Sequence, residues 1–265
     1  MTQNPQNAKN LLIVFDLVST LTDAGPRYVR AFADICEKFG YPKPDEEEVL
    51  EMLGNKNLKE ITQHFLGDIN DDLQGKFMQS CNKECDAMLF REDWHEDLFP
   101  HVHETLEKLH QDGHKLGIYT GTRENALEDQ ITYHGIKHLF NAAYIRGKDN
   151  QRDAGINSRD LKAAQLESLV ERHRADCGDK NAPVLVIGDS VADAEAAADK
   201  GYLFIGFAAN DRKKEKLQNS GVKYLMTDFA DLPLLIKGAT GGVAPQEKSA
   251  YETVKKKRAP RRWKR

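Results

Sequence analysis

Long hydrophobic runs are missing from this sequence of 265 residues. No apolar segment approaches the roughly 20 residues that a membrane-spanning helix needs. The first ten residues are polar with little positive charge, and the apolar run at 11–15 ends at Asp16. That run is too short for the core of a secretory signal peptide. We therefore expect a protein that neither crosses a membrane nor is secreted, and that works in the cytoplasm.

Cysteine is also scarce, with four residues in the chain: Cys36, Cys81, Cys85 and Cys177. A structural zinc site needs several Cys or His ligands at tight spacing. Cys81 and Cys85 are four residues apart on a predicted helix, and no further ligands lie at such spacing. The sequence therefore predicts free thiols that are buried or half-buried, and no structural zinc.

Charge is unevenly distributed along the chain. The net charge is −4, and 30% charged with 40% hydrophobic residues is typical of a soluble globular protein. Residues 247–265 hold nine Lys or Arg and two Glu, so the remainder carries a net −11. The segment GATGGVAP at 238–245 separates the two parts. We predict a flexible basic tail over 241–265, which either keeps the protein soluble or contacts nucleic acid or another anionic surface nonspecifically.

Six short segments rich in Val, Ile, Leu, Tyr or Phe predict strands. They are 11–15, 115–120, 142–145, 184–188, 203–207 and 223–226. Helical periodicity fills most of the gaps after the second of them, at 123–133, 159–172, 192–200 and 213–219. This alternation predicts an α/β fold whose parallel sheet is covered by helices on both faces.

The interval between the first two strands is different. It spans nearly a hundred residues without a convincing strand, and helical periodicity marks 26–39, 45–52, 58–66 and 71–90. A single crossover helix does not need that length. We therefore predict a core domain of residues 1–22 and 98–240, with an inserted helical cap domain of residues 23–97.

Polar residues follow four of the predicted strands. Asp16 follows the first, Thr120 the second, Lys148 the third, and Asp189 with Asp193 the fourth. Ligands bind beyond the carboxyl ends of strands in open α/β sheets, so we expect these side chains to converge. Each of these residues, taken alone, could have a purely structural role, such as capping a helix. Together they suit phosphoryl transfer, because carboxylates bind Mg²⁺ and attack phosphorus while a hydroxyl and an ammonium hold phosphoryl oxygens.

The motifs that carry these residues resemble those of the haloacid dehalogenase superfamily. FDLVSTL at 15–21 resembles its first motif FDxDGTL, Thr120 its second motif, and IGDSVAD at 187–193 its fourth. The layout is similar over residues 11 to about 235, and the helical insertion resembles the type-one cap of that superfamily. The resemblance implies a Rossmann-like parallel sheet core and a hydrolase of small phosphorylated metabolites, such as the phosphoglycolate phosphatases.

The resemblance also implies roles for individual residues. Asp16 would be the nucleophile and form an aspartyl phosphate. Mg²⁺ would be held by Asp16, by the backbone carbonyl of Val18 and by Asp189, with Asp193 in support. Thr120 would hold the phosphoryl group as a catalytic residue.

Val18 is the main departure from the pattern. Phosphatases of the superfamily carry a second Asp there, which protonates the leaving group and then activates water. Valine does neither, and general acid–base help is typically worth about 10²–10⁴-fold. The metal site is expected to survive, since that position contributes a carbonyl. Ser19 replaces the usual glycine, and it will be strained if the loop requires a positive φ there.

The missing acid leaves three readings open. The protein is a slow phosphatase, a degenerate member that binds phosphate compounds without turnover, or a phosphonoacetaldehyde hydrolase-like enzyme that cleaves a C–P bond. Those hydrolases resemble this chain in a small apolar residue at position 18 and use a cap lysine as a Schiff base, for which Lys56 is the candidate. A solvated surface lysine is the ordinary reading of Lys56. The dehalogenases of the superfamily usually work without Mg²⁺, and the intact GDSxxD motif argues against that branch.

The remaining cations of the site are less constrained by the pattern. Lys148 is our choice for the lysine of the third motif, with Arg152 and Lys162 as alternatives. Gly121 and Arg123 are predicted to contact the anionic substrate beside Thr120. Arg27 and Arg30 in the cap are expected on a solvated helix face, with a substrate contact as the alternative. No oligomeric state can be inferred.

Overall fold

The computed structural model describes residues 11–89, 91, 94–149, 152–153 and 156–240. The predicted basic tail at 241–265 lies outside the described residues. No helix among the described residues combines the length and the apolar character that a bilayer crossing requires.

Six parallel strands form one sheet, which confirms the predicted fold class. The strands are β1 (Leu12–Asp16), β2 (Lys115–Arg123), β3 (Ile145–Lys148), β4 (Val184–Gly188), β5 (Leu203–Phe207) and β6 (Tyr224–Met226). Their order across the sheet is β3-β2-β1-β4-β5-β6. The strand order reverses between β1 and β4, which is where open α/β sheets bind ligands.

Ten α-helices accompany the sheet within the described residues. They are α1 (Gly25–Lys38), α2 (Glu46–Asn55), α3 (Leu58–Leu66), α4 (Asp71–Met88), α5 (Val102–Gln111), α6 (Glu124–Tyr133), α7 (Ser158–Cys177), α8 (Val191–Asp199), α9 (Asp211–Asn219) and α10 (Leu232–Thr240). The first four lie between β1 and β2, where the sequence predicts the insertion.

The central strands are buried on both faces because hydrophobic clusters cover each side. Along β1, Ile13 and Phe15 belong to one cluster, whereas Leu12 and Val14 belong to the other. Successive side chains of a strand point to opposite faces of the sheet, so a fully apolar strand contributes residues to both clusters. The continuous apolar runs of β1 and β4 therefore reflect burial between two layers of helices.

The helices of the insertion pack around a hydrophobic cluster of their own. Phe32 of α1 and Phe77 of α4 are at its centre, with ring centroids 5.4 Å apart in an edge-to-face arrangement. Cys36 and Cys81 are buried in the same cluster as free thiols. Burial raises the pKa of the Cys36 thiol to about 11, so we expect it to be unreactive.

The third strand begins later than predicted. Residues 142–144 form a 3₁₀ turn, and β3 starts at Ile145. The Asn141 side chain accepts a hydrogen bond from the Ala143 amide at 2.9 Å, which favours a turn at this position. Tyr144 is fully buried within that turn. The apolar residues of this turn, which predicted a strand, therefore serve packing in the core and not strand pairing.

Two chain connections between the insertion and the sheet run side by side. The Asp23 amide donates to the Asp97 carbonyl at 2.8 Å, and the Phe99 amide donates to the Leu21 carbonyl at 2.9 Å. The predicted domain limits at 22–23 and 97–98 fall at these connections. A hinge between cap and core would have to pass through them.

A buried ion pair lies at these connections. Arg27 Nε and Glu96 Oε1 are 2.6 Å apart, with side chains 3% and 1% exposed. The other Glu96 oxygen accepts from the Thr22 hydroxyl at 2.5 Å, and Arg27 Nη1 donates to the Cys85 carbonyl at 2.9 Å. The solvated helix face predicted for Arg27 is therefore wrong, while Arg30 is 49% exposed.

Replacing Arg27 by methionine is expected to lower the free energy of unfolding by about 3–5 kcal/mol, because Glu96 would keep a buried charge without its partner. Arg30→Met is the matched control on the same helix. Its exposed pair with Asp34 should be worth less than about 1 kcal/mol. Urea denaturation followed by circular dichroism measures both. Equal, small losses in the two variants would contradict the structural role of the buried pair.

Candidate active site

The loop after β1 brings Asp16 to the carboxyl edge of the sheet. Asp16 is the last residue of β1 and is 3% exposed. The Leu17 carbonyl accepts hydrogen bonds from the amides of Thr20, Leu21 and Thr22, at 3.2, 2.8 and 3.0 Å. These bonds turn the chain sharply directly after Asp16, which ends the strand there.

Ser19 has a φ of +62° in this loop. The left-handed region costs a non-glycine residue about 1–2 kcal/mol. The resemblance places a glycine at this position, and the structure shows the positive φ that explains it. The loop keeps its shape with serine because surrounding hydrogen bonds, including Ser19 N to the Thr22 carbonyl at 2.8 Å, hold the backbone.

Two further carboxylates come from the end of β4 and the start of α8. Asp189 directly follows β4, and Ser190 caps α8 in a reciprocal capping box with Asp193. One Asp193 oxygen, Oδ2, accepts from the Ser190 amide at 3.1 Å and from its hydroxyl at 2.5 Å. The capping role expected of an isolated GDSxxD motif is therefore real, but it occupies only one oxygen.

A glycine permits the close approach of Asp193 to the strand. A Cβ atom at Gly188 would lie 2.6 Å from both the Cβ and the Cγ of Asp193. Any larger residue at Gly188 would push this carboxylate away from the sheet edge. The glycine of the GDS motif thus positions the third carboxylate.

The three carboxylates form one cluster. Each of Asp16, Asp189 and Asp193 offers an oxygen, and these oxygens lie within 4.8 Å of one another. Asp193 is completely buried. Because β1 and β4 are adjacent in the sheet, the side chains that end them are necessarily neighbours.

Lys162 lies between two members of the cluster. Its Nζ is 3.0 Å from Asp16 Oδ2 and 2.7 Å from Asp193 Oδ1, and its side chain is 9% exposed. The Tyr119 hydroxyl donates to the same Asp193 oxygen at 2.6 Å. Lys162 is the fifth residue of α7, so the rotation of that helix places its side chain inside the site.

The sequence-based choice of Lys148 differs from this arrangement. Lys148 is the last residue of β3, where it is the register partner of Arg123 on β2. The pKa of Asp153 is lowered mainly by its hydrogen bond from Arg152 and to a smaller extent by the charge of Lys148. Arg152 is bound to Asp153, with Nε to Oδ1 at 3.0 Å. Of the three candidate cations, Lys162 is the one whose ammonium contacts Asp16.

Lys213 is a second ammonium at the cluster, which sequence analysis missed. Its Nζ contacts Asp189 Oδ2 from the first turn of α9, and the Thr20 hydroxyl donates to Asp189 Oδ1 at 3.3 Å. The sequence feature that could have identified Lys213 is its position in the chain. Lys213 lies just beyond β5, which neighbours β4 in the sheet.

Burial dominates the electrostatics of these groups. It raises the pKa of Asp16 to about 8, against the opposing charge of Lys162. Burial also raises the pKa of Asp189, which Lys213 partly offsets. Burial opposes the charge of Lys162, but Asp16 and Asp193 outweigh it and raise the pKa of that ammonium. The site therefore favours additional positive charge, which would keep both carboxylates ionised.

A divalent cation fits this donor set. When ionised, the three carboxylates carry one more charge than the two ammonium groups that contact them. Uncompensated buried charge is costly, and Mg²⁺ prefers hard oxygen ligands of this kind. Asp16, Asp189 and Asp193 supply such oxygens, and the Val18 carbonyl lies in the loop that follows Asp16.

Thr120 and its neighbours lie beside the cluster on β2. Tyr119 is the register partner of Asp16, so Thr120 comes one residue beyond it. Thr120 is 1% exposed, and its hydroxyl accepts from the Thr122 amide at 3.2 Å. Gly121 and Arg123 are exposed on the same strand.

Lys56 lies at the boundary of the cap and the core. Its side chain is exposed, and its carbonyl accepts a hydrogen bond from Arg212 of α9. A Schiff-base lysine has to be desolvated enough to lose its proton. The exposed side chain of Lys56 does not provide such an environment in this structure.

Comparison with known proteins agrees with the geometry. Residues 13–207 match the family model for haloacid dehalogenase-like hydrolases. Phosphoglycolate phosphatase from Aliivibrio fischeri is 28% identical over 196 residues, which cover 72% of this chain and 80% of that protein. Phosphoglycolate phosphatase from Vibrio parahaemolyticus is 26% identical over 230 residues, which cover 83% and 93%.

Solved structures share the fold. A predicted phosphoglycolate phosphatase from Haemophilus somnus has a TM-score of 0.58 and 23% identity, covering 85% of this chain and 97% of that one. A haloacid dehalogenase-like protein from Agrobacterium tumefaciens has a TM-score of 0.59 and 21% identity, covering 86% and 98%. With the family model matching most of its length, the chain belongs to the haloacid dehalogenase-like hydrolases.

Proposed function

We propose that this hydrolase removes the phosphoryl group from a small phosphorylated metabolite by way of an aspartyl phosphate at Asp16. The observation that carries the proposal is the buried cluster of three carboxylates with the Lys162 ammonium between Asp16 and Asp193. Mg²⁺ bound by Asp16, Asp189 and the Val18 carbonyl, with Asp193 in support, would neutralise phosphoryl charge.

The residues of the chain divide the chemistry between them. Asp16 attacks phosphorus, and the bond from phosphorus to the leaving oxygen breaks. Lys162 keeps the Asp16 carboxylate oriented and balances its charge, and the Thr120 hydroxyl holds a phosphoryl oxygen. Water then attacks phosphorus, which releases inorganic phosphate and restores Asp16.

Val18 makes this reaction slow. A valine cannot protonate the leaving oxygen or activate the attacking water, so both proton transfers depend on solvent. The missing acid affects both steps, and we further propose that the second is the slower one, so that the aspartyl phosphate accumulates. Phosphoglycolate is the first substrate to test, since the curated relatives described above are phosphoglycolate phosphatases.

A panel of small phosphate esters tests the proposal. Phosphoglycolate, a triose phosphate and an aryl phosphate are incubated with the protein and Mg²⁺, and released phosphate is measured. We expect release from at least one ester, with loss of activity in EDTA and recovery on adding Mg²⁺ back. The Asp16→Asn variant is the matched inactive control.

Three outcomes would contradict parts of the proposal. A folded protein that binds phosphate esters without releasing phosphate would be the degenerate binding protein of the second reading. Cleavage of phosphonoacetaldehyde alone, with borohydride trapping at Lys56, would instead establish C–P bond hydrolysis. Undiminished phosphate release in EDTA would exclude the metal site.

A further inference from the structure

The two lysines of the site differ in how firmly they are held. Lys162 contacts two carboxylates and is 9% exposed, whereas Lys213 is 26% exposed and contacts Asp189. An ammonium with three donors and a flexible stem exchanges partners readily when solvent reaches it. Lys213 is therefore the cation of the site that can move.

Lys213 occupies the carboxylate that a metal ion would need. Asp189 Oδ2 accepts from the Lys213 ammonium and Oδ1 from the Thr20 hydroxyl, so both oxygens of Asp189 are engaged. An ion that took Oδ2 would face the ammonium at short range, and two like charges a few ångströms apart repel strongly in a buried site. Metal binding at Asp189 and the Lys213 contact thus compete.

The released ammonium would remain close to the site. Lys213 is in the first turn of α9, where the Asn210 side chain accepts from its backbone amide at 3.0 Å. The neighbouring Arg212 donates to the Lys56 carbonyl, and α9 packs against α2. The backbone of the first turn of α9 is therefore held between α2 and the carboxylates, while the partly exposed Lys213 side chain has room to turn.

We propose that Lys213 is an exchangeable cation that holds Asp189 in the metal-free protein and binds the anionic substrate once Mg²⁺ has taken that oxygen. The proposal rests on the function proposed above. It makes Lys213 a substrate-binding residue that opposes metal binding alone but supports binding of a phosphoryl oxyanion to the metal-loaded site. Loss of the ammonium should therefore change the two affinities in opposite directions.

The first arm of the test measures Mg²⁺ alone. Isothermal titration calorimetry compares the wild type with Lys213→Met and with Lys214→Met, an exposed lysine on the same helix that loses the same charge. We expect Lys213→Met to bind Mg²⁺ about tenfold more tightly than the control variant, because a charge-assisted hydrogen bond no longer competes. Affinity equal to or weaker than that of Lys214→Met would overturn the competition.

The second arm measures orthovanadate, a phosphate analogue, at saturating Mg²⁺. We expect Lys213→Met to bind it about tenfold more weakly than Lys214→Met, since a charge-assisted contact to the oxyanion is lost. Lys213→Arg keeps a cation and should remain nearer to the wild type in both arms. Unchanged vanadate affinity in Lys213→Met would overturn the substrate-binding role.

Neither arm requires turnover, so failure of this proposal differs from failure of the proposed function. If Asp16→Asn retained full activity while the Lys213 affinities shifted in opposite directions, the nucleophile assignment alone would fall. If phosphate release depended on Asp16 and the two affinities matched those of the control, only the role of Lys213 would fall.

Discussion

Replacing Asp16 by asparagine is expected to lower phosphate release by at least about 10⁴-fold, because the amide cannot form the aspartyl phosphate. The substitution preserves shape, and Lys162 retains Asp193 as a partner 2.7 Å away. We therefore expect the fold to survive. Steady-state phosphate release and circular dichroism of the two proteins measure these effects.

Trapping the intermediate gives a second measurement on the same variant. Acid quenching during turnover of a radiolabelled phosphate ester should leave label on the wild-type protein that hydroxylamine removes, as expected of an acyl phosphate. Asp16→Asn should carry none. Label that persists in the variant would assign the nucleophile to another residue.

Replacing Val18 by aspartate is expected to raise turnover by about 10²-fold, within the 10²–10⁴-fold range of general acid–base catalysis. The new carboxyl group would protonate the leaving oxygen and then activate water. Position 18 is half-buried and follows the nucleophile by two residues, so an acid there lies close to the reacting atoms. Val18→Asn is the matched control, since it is similar in size to aspartate but cannot transfer a proton.

Pre-steady-state kinetics separates the two steps that the acid would serve. In the wild type we expect a burst of leaving group followed by a slow phase, because hydrolysis of the aspartyl phosphate limits turnover. The burst should shrink in Val18→Asp as the second step accelerates. Equal turnover in Val18→Asp and Val18→Asn, with both variants folded and binding Mg²⁺, would mean that a missing acid does not limit the enzyme.

The strand-end residues were predictable because topology alone brings them together. Asp16 and Asp189 follow two apolar segments, and in a parallel sheet the carboxyl ends of all strands share one edge. The alternation of strands and helices indicated such a sheet. Chain order therefore sufficed to place the carboxylates together, without knowledge of any side-chain conformation.

Some elements were not predicted because their sequences carry other signals. Helix α5 (Val102–Gln111) has no counterpart among the helices that the sequence predicts, although Leu106 and Leu109 are buried in the core cluster. Its N-terminal His101 has a left-handed φ of +62° and no side-chain cap, so the usual helix-start signal is absent. At β3, the apolar residues of a 3₁₀ turn have the composition of a strand, so the sequence predicts that the strand begins too early.

The cations depended on tertiary structure. Lys148 has the expected position in the sequence, but the ammonium that reaches Asp16 belongs to Lys162. The rotation of α7 against the sheet decides which lysine reaches the site. Apolar and charged residues are mixed around this helix, so the periodicity of its sequence does not predict which side faces the sheet. Lys213 reaches Asp189 because β5 neighbours β4, a fact of sheet order.

The sequence by itself determined the α/β class, the helical insertion after the first strand and the acidic residues at the strand ends. Each follows from periodicity and chain order, which are local properties. Only the tertiary structure decided which ammonium groups balance those acids, and that Arg27 and Glu96 form a buried pair at the cap connections. Such contacts join residues far apart in the chain, so they depend on packing that no local pattern encodes.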